Sequence, residues 1–133
     1  MNTAEWNDHL LLGFEPMDAV NREFMKLLAR AQEARDGAIA NSWQILIEHT
    51  ESHFAREDQW MRQSHFANAD DHRLQHRVVL KVMREGLVCA RDGQHAAVRE
   101  MANELASWFV KHAQSLDAAL ALHMRREPAL TAR

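Results

Sequence analysis

The chain has 133 residues, a formal charge of −3 with neutral histidine, and 47% hydrophobic residues, a length that suits one domain built on one core and is too short to expect two. Its 16 basic residues are scattered and form no stripe, which argues against nucleic acid as a partner. Only four Gly and two Pro interrupt long runs of Ala, Leu, Glu, Arg, Gln and Met, so the expected fold is all-α. Residues 1–12 carry Glu5 and Asp8 beside a short apolar run, without the basic flank of a signal peptide, and no segment has the apolar length to span a membrane. Cys89 stands alone, which excludes an internal disulfide and a Cys-x-x-Cys site and fits a cytoplasmic location.

Residues 1–15, with Trp6 and Phe14, are expected to form an N-terminal arm packed over one end of the fold. Glu15-Pro16-Met17-Asp18 reads as the start of a first helix, because Pro is tolerated in the first turn and acids favour the positive end of the helix dipole. Met17, Val20, Phe24, Leu27, Leu28 and Ala31 follow a helical stripe that includes Asn21, and Asp36-Gly37 reads as the stop. A second helix is expected from Asn41 or Ser42 to about Ser64, with Trp43, Leu46, Ile47, Thr50, Phe54, Trp60 and Met61 inward. A third runs from about Asp70 to the Asp92-Gly93 turn, with Val79, Val82, Met83 and Leu87 on its apolar side and Gly86 as a weak spot. The fourth runs from about Gln94 to Met124, and the tail over 125–133 is expected to be loose. Short connections favour antiparallel neighbours, so residues 1–133 read as a single domain whose centre, 16–124, is an up-down-up-down four-helix bundle.

The chemistry sits on these inner stripes. His53 and Glu57 are four residues apart on one helix, and His72 and His76 four apart on the next, so each pair projects from a single face. His112 and Asp117 are five apart, which requires a local bulge or converging side chains for the two to act together. Each histidine alone reads more readily as a hydrogen-bonded core residue or a helix-end cap than as a ligand. Four imidazoles and two carboxylates together are another matter, since an unpaired buried ion costs several kcal/mol against about 5 to 15 kcal/mol of net stability. Imidazole with carboxylate and no thiolate suits iron, manganese or zinc, and two carboxylates permit bridging between two ions. Glu-x-x-His and His-Glu-x-x-His are absent, which disfavours the ferritin-like and zinc-protease patterns.

His53-x-x-x-Glu57, His72-x-x-x-His76 and His112-x-x-x-x-Asp117, in that order on successive helices, resemble the hemerythrin family. Leu12-Gly13 followed by Met17-Asp18, together with His53-Phe54 and Trp108-Phe109, strengthens the likeness across nearly the whole chain. The resemblance implies a four-helix bundle around a non-haem di-iron centre that binds dioxygen reversibly. It implies that His72, His76 and His112 hold one iron, that Glu57 and Asp117 bridge the pair, and that His53 helps to hold the second. A histidine of the first helix normally completes that second position. Here the family's Met-Asp-x-x-His reads Met17-Asp18-Ala19-Val20-Asn21, so Asn21 stands at that uncertain metal position. An amide oxygen is a poorer donor than imidazole, which leaves three alternatives: two irons with an exchangeable position, one iron at the three-His site, or a different metal. His49, one turn before His53, is close enough in sequence to reach in, but reads first as a half-buried or surface residue. The function implied is a binding protein, not an enzyme, for dioxygen or a related ligand such as nitric oxide. The alternatives are an iron-dependent enzyme acting on peroxide or nitric oxide, and a metal- or oxygen-responsive interaction module.

Overall fold

Good helix formers carrying one apolar stripe each give four long helical rods among residues 4–126, the part of the chain that the computed structural model describes. Residues 1–3 of the expected arm and 127–133 of the expected tail lie outside it. Helix α1 spans Glu15–Glu33, with Pro16 in its first turn and Glu15 and Asp18 at the positive end of its dipole. Helix α2 spans Asp36–Gln63 and α3 spans Ala69–Arg91. Helix α4 (His95–His112) continues through a π-helical turn, Ala113–Asp117, into α5 (Ala118–Arg125), so the three make one rod.

Contacts between neighbouring rods run in opposite directions along the sequence. Phe14 packs edge-on to Trp60 while Val20 meets His49. Arg84 pairs with Glu51 and Arg91 with Gln44. Phe24 stacks on Phe109 while Arg99 donates to the Ala34 carbonyl oxygen, which closes α1 on α4. The result is an antiparallel up-down-up-down four-helix bundle.

Its core has two parts. One gathers Phe24, Leu28, Trp43, Leu46, Met83 and Phe109. The other is smaller and gathers Phe14, Met17, Met61, Leu120, Ala121 and Met124 at the opposite end. A fully buried Leu, Phe or Met in either stabilises the fold by about 1.5–3 kcal/mol. Trp43 also donates its indole N–H to the Met83 carbonyl oxygen at 2.7 Å.

Three expectations need correction. The stop expected at Asp36-Gly37 lies at Ala34 and Arg35, both in extended backbone, and α2 begins at Asp36 rather than at Asn41 or Ser42. Asp36 favours the positive end of α2 and pairs with Arg99 at 2.7 Å across the bundle, so the residues that read as a turn open a helix. Val82, expected to face inward, is 41% exposed, because the interior side of that turn is taken by Met83. Among the described residues, only the Leu12–Phe14 end of the arm packs at an end of the bundle, and the stretch before it lies along α1. The Ala4 amide donates to Gln32, Trp6 lies over the Arg22 guanidinium, and the Leu12 amide donates to the Asp18 carboxylate. Gly13, at φ 75°, reverses the chain into α1 in a conformation that favours glycine. Gly86, expected as a weak spot, lies within an unbroken α3, where a Cβ would meet Met101 Sδ at 2.5 Å and Trp43 Nε1 at 3.0 Å.

Candidate metal centre

Between the two apolar clusters each rod turns polar residues inward. Helix α2 supplies His53 and Glu57, α3 supplies His72 and His76, and the fourth rod supplies His112 and Asp117, all at most 3% exposed. The π-helical turn begins directly after His112 and ends at Asp117. Its wider turn brings residues five apart onto one face, the bulge that their spacing requires.

The six side chains meet. His72 Nε2 lies 3.1 Å from Glu57 Oε1 and 3.1 Å from Asp117 Oδ1. His76 Nε2 is 3.2 Å from Glu57 Oε1, and His112 Nε2 is 3.1 Å from Asp117 Oδ1. None of these nitrogens forms a well-directed hydrogen bond with the carboxylate beside it, nor does Glu57 Oε1 or Asp117 Oδ1 with any neighbour. The atoms are close, yet they are not aimed at one another as donor and acceptor. Donor atoms that converge on a shared point have this arrangement. One ligand atom from each of Glu57, His72, His76 and His112 lies within 4.8 Å of the other three. His53 Nε2 contacts Glu57 Oε2 at 2.6 Å, and His53 Nδ1 has no partner among the described residues.

Two outer contacts set the tautomers. His76 Nδ1 lies 3.0 Å from Asp58 Oδ1, and His112 Nδ1 lies 3.0 Å from Gln75 Oε1. Each oxygen accepts the Nδ1–H, which leaves the Nε2 lone pair for the interior, the arrangement that orients metal-binding imidazoles. Sequence reasoning missed Asp58 and Gln75. Their only local signal is adjacency to Glu57 and His76, which carries no information about a partner on another helix. Aromatic rings complete the wall, with Phe54 stacked on His76 at 3.8 Å and Trp108 stacked on His112 at 4.6 Å. Of the other apolar residues near the site in sequence, Phe24 and Met83 belong to one core cluster, while Met61 and Trp60 belong to the other.

Proton affinities reflect the crowding. Burial pushes His72 down, but the carboxylates of Asp117 and Glu57 outweigh it and raise its pKa to about 9. For Glu57, burial raises the pKa, and the neighbouring His53 charge outweighs that to hold it well below the ordinary carboxylate value. His53 is raised against its own burial by Glu57. Every metal ligand must shed its proton, so a cation entering here competes with protons held this firmly.

Asn21 is fully buried on α1, and neither its amide nitrogen nor its amide oxygen has a hydrogen-bond partner among the described residues. His49 is half-buried, with Nε2 3.2 Å from the Val20 carbonyl oxygen. Two of the remaining four histidines make contacts elsewhere: His123 Nε2 contacts the Ser64 carbonyl oxygen, and His95 Nδ1 lies 3.5 Å from Asp36.

A family model described as the hemerythrin HHE cation binding domain matches residues 12–127. A bacteriohemerythrin of Ralstonia nicotianae (strain ATCC BAA-1114 / GMI1000) is 34% identical over 117 residues, covering 88% of this chain and 85% of that protein. No solved structure matches significantly. With its buried cluster of imidazoles and carboxylates at the centre of an antiparallel bundle, the chain belongs to the hemerythrin family.

Proposed function

We propose that this protein binds non-haem iron at the centre of the bundle and, through it, dioxygen or a related diatomic ligand such as nitric oxide. The observation that carries the reading is the set Glu57, His72, His76 and His112, with ligand atoms mutually within 4.8 Å, all buried. In two of its imidazoles Nδ1 is tied outward by Asp58 and Gln75. His72, His76 and His112 would hold one iron, Glu57 and Asp117 would bridge to a second, and His53 would help to hold that second ion, at the position where Asn21 replaces an imidazole. When bound, the irons supply exchangeable positions and reversible electron transfer to a diatomic ligand.

The chain's own part is to orient and to exclude water. Asp58 and Gln75 fix two imidazole planes, Phe54 and Trp108 cover two rings, and the carboxylates offset the charge of the cations. Trp108 also lines a mostly apolar, partly open pocket of about 240 Å³ between α3 and α4, with Val78, Val82, Met101 and Glu104 among its other lining residues. We read the site as a binder's rather than an enzyme's. No helix among the described residues is long and apolar enough to cross a membrane, and we place the protein in the cytoplasm.

The test is elemental analysis of protein purified without added metal, with visible spectra recorded in air and after reduction. Iron in the preparation, with visible absorption that changes on reduction and on exposure to nitric oxide, supports the reading. Protein that takes up no iron, even when reconstituted anaerobically with Fe(II), refutes it.

A further inference from the structure

We propose that His49 supplies to the second metal position the imidazole that Asn21 withholds, so that this position is completed from α2 instead of α1. The inference rests on the iron-binding reading above. His49, His53 and Glu57 lie at steps of four residues on α2, along one side of that helix. The His49 and His53 rings are 5.9 Å apart, against 4.6 Å for His72 and His76, a pair at the same spacing whose nitrogens both reach a Glu57 carboxylate oxygen.

The decisive contact is with α1. His49 Nε2 lies 3.2 Å from the carbonyl oxygen of Val20, the residue immediately before Asn21. The imidazole therefore stands between α2 and the turn of α1 that carries the substituted position. A carbonyl oxygen only accepts, so the His49 proton sits on Nε2 and Nδ1 carries the lone pair with which the ring would bind a cation. Metal-binding histidines use this device, donating one ring N–H to a backbone carbonyl while the other nitrogen coordinates. It is the counterpart of His76 and His112, whose Nδ1 is tied instead. Asn21, next in sequence to Val20, has both amide atoms buried without partners among the described residues, and the same holds for Nδ1 of His53, one turn along α2 from His49.

The experiment titrates the full chain with Fe(II) under anaerobic conditions and reads metal equivalents and affinities by calorimetry and elemental analysis. The variants are His49→Ala, His49→Gln and the double variant Asn21→His with His49→Ala. Circular dichroism checks their folding. Two equivalents in the parent, loss of the second or at least a tenfold weaker second affinity in both single variants, and recovery of two in the double variant support the proposal. His49→Gln keeps a donor to the Val20 carbonyl oxygen without imidazole, so a merely structural His49 would leave that variant with the parent's second ion. Two tight equivalents in His49→Ala overturn the proposal, as does failure of Asn21→His to restore the second. A parent that binds a single iron also overturns it while leaving the proposed function standing. A parent that binds none overturns both.

Discussion

Removing the Asp58 carboxylate isolates what the outer contacts are worth. In Asp58→Ala, His76 keeps its place on α3 but loses the acceptor 3.0 Å from Nδ1 that fixes its tautomer and plane. Outer partners of metal-binding histidines are worth roughly 10- to 100-fold in affinity, about 1.4–2.7 kcal/mol. Asp58 is 32% exposed at its side chain, and solvent screening draws the expectation towards the lower end, about tenfold. Gln75→Ala removes a neutral acceptor from His112, and a neutral hydrogen bond is worth about half a charge-assisted one, so its loss is expected to be smaller, about three- to fivefold. Competition against a chromophoric chelator measures both affinities, and thermal melts of the metal-free variants show whether the bundle itself is altered. Unchanged metal affinity in a folded Asp58→Ala variant would refute the argument that His76 is oriented for a cation. A larger loss in Gln75→Ala than in Asp58→Ala would refute the ranking by charge.

Gly86→Ala sets two effects against each other. Helix propensity favours alanine by about 1 kcal/mol, whereas overpacking costs about 1–3 kcal/mol. Met101 Sδ can swing away, but the Trp43 ring at 3.0 Å is fully buried and held by Met83, so net destabilisation of about 0–2 kcal/mol is expected in urea unfolding, and a clear gain in stability contradicts the packing. In the metal-free chain, His72 has its pKa raised to about 9, so its contribution to stability is complete below about 6.5 and is lost as pH rises through 9. Glu57 is lowered, so its contribution is present above the ordinary carboxylate value and lost in acid. Thermal melts in chelator are therefore expected to show highest stability between these limits, and a midpoint still rising above pH 9 would contradict the assignment. Asn21→Leu removes two buried polar groups that lack partners and is expected to raise metal-free stability by about 1–3 kcal/mol while weakening binding of a second ion. A less stable metal-free variant would mean that the amide is satisfied after all.

Spacing made the meeting of His53, Glu57, His72 and His76 in the interior legible, because residues four apart on a helix must share a face. The five-residue step from His112 to Asp117 was legible as a demand for a bulge, and Ala113–Asp117 meets it with a π-helical turn. Asp36-Gly37 misled because turn formers also suit a helix start, and the pairing of Asp36 with Arg99, more than sixty residues away, is not legible locally. Val82 misled because α3 carries more apolar residues than its inner face holds, so that Leu74, Val78 and Val88 are exposed as well. Asp58 and Gln75 were invisible because their roles exist only across helix pairs.

The division of the apolar interior by a layer of charge has a consequence for cooperativity. A bundle held by one continuous core melts as a unit, whereas here the smaller end, built on Phe14, Met17, Met61, Leu120 and Met124, is separated from the rest by His53, Glu57, His72, His76, His112 and Asp117. Stripped of cations, those two ends are joined across the layer by polar and ring contacts such as His112 with Gln75 and Phe54 on His76, and the smaller apolar cluster is expected to open first. A cation held by three of the four rods would join them, so that its removal is expected to register as local opening at one end of the molecule before the remainder gives way.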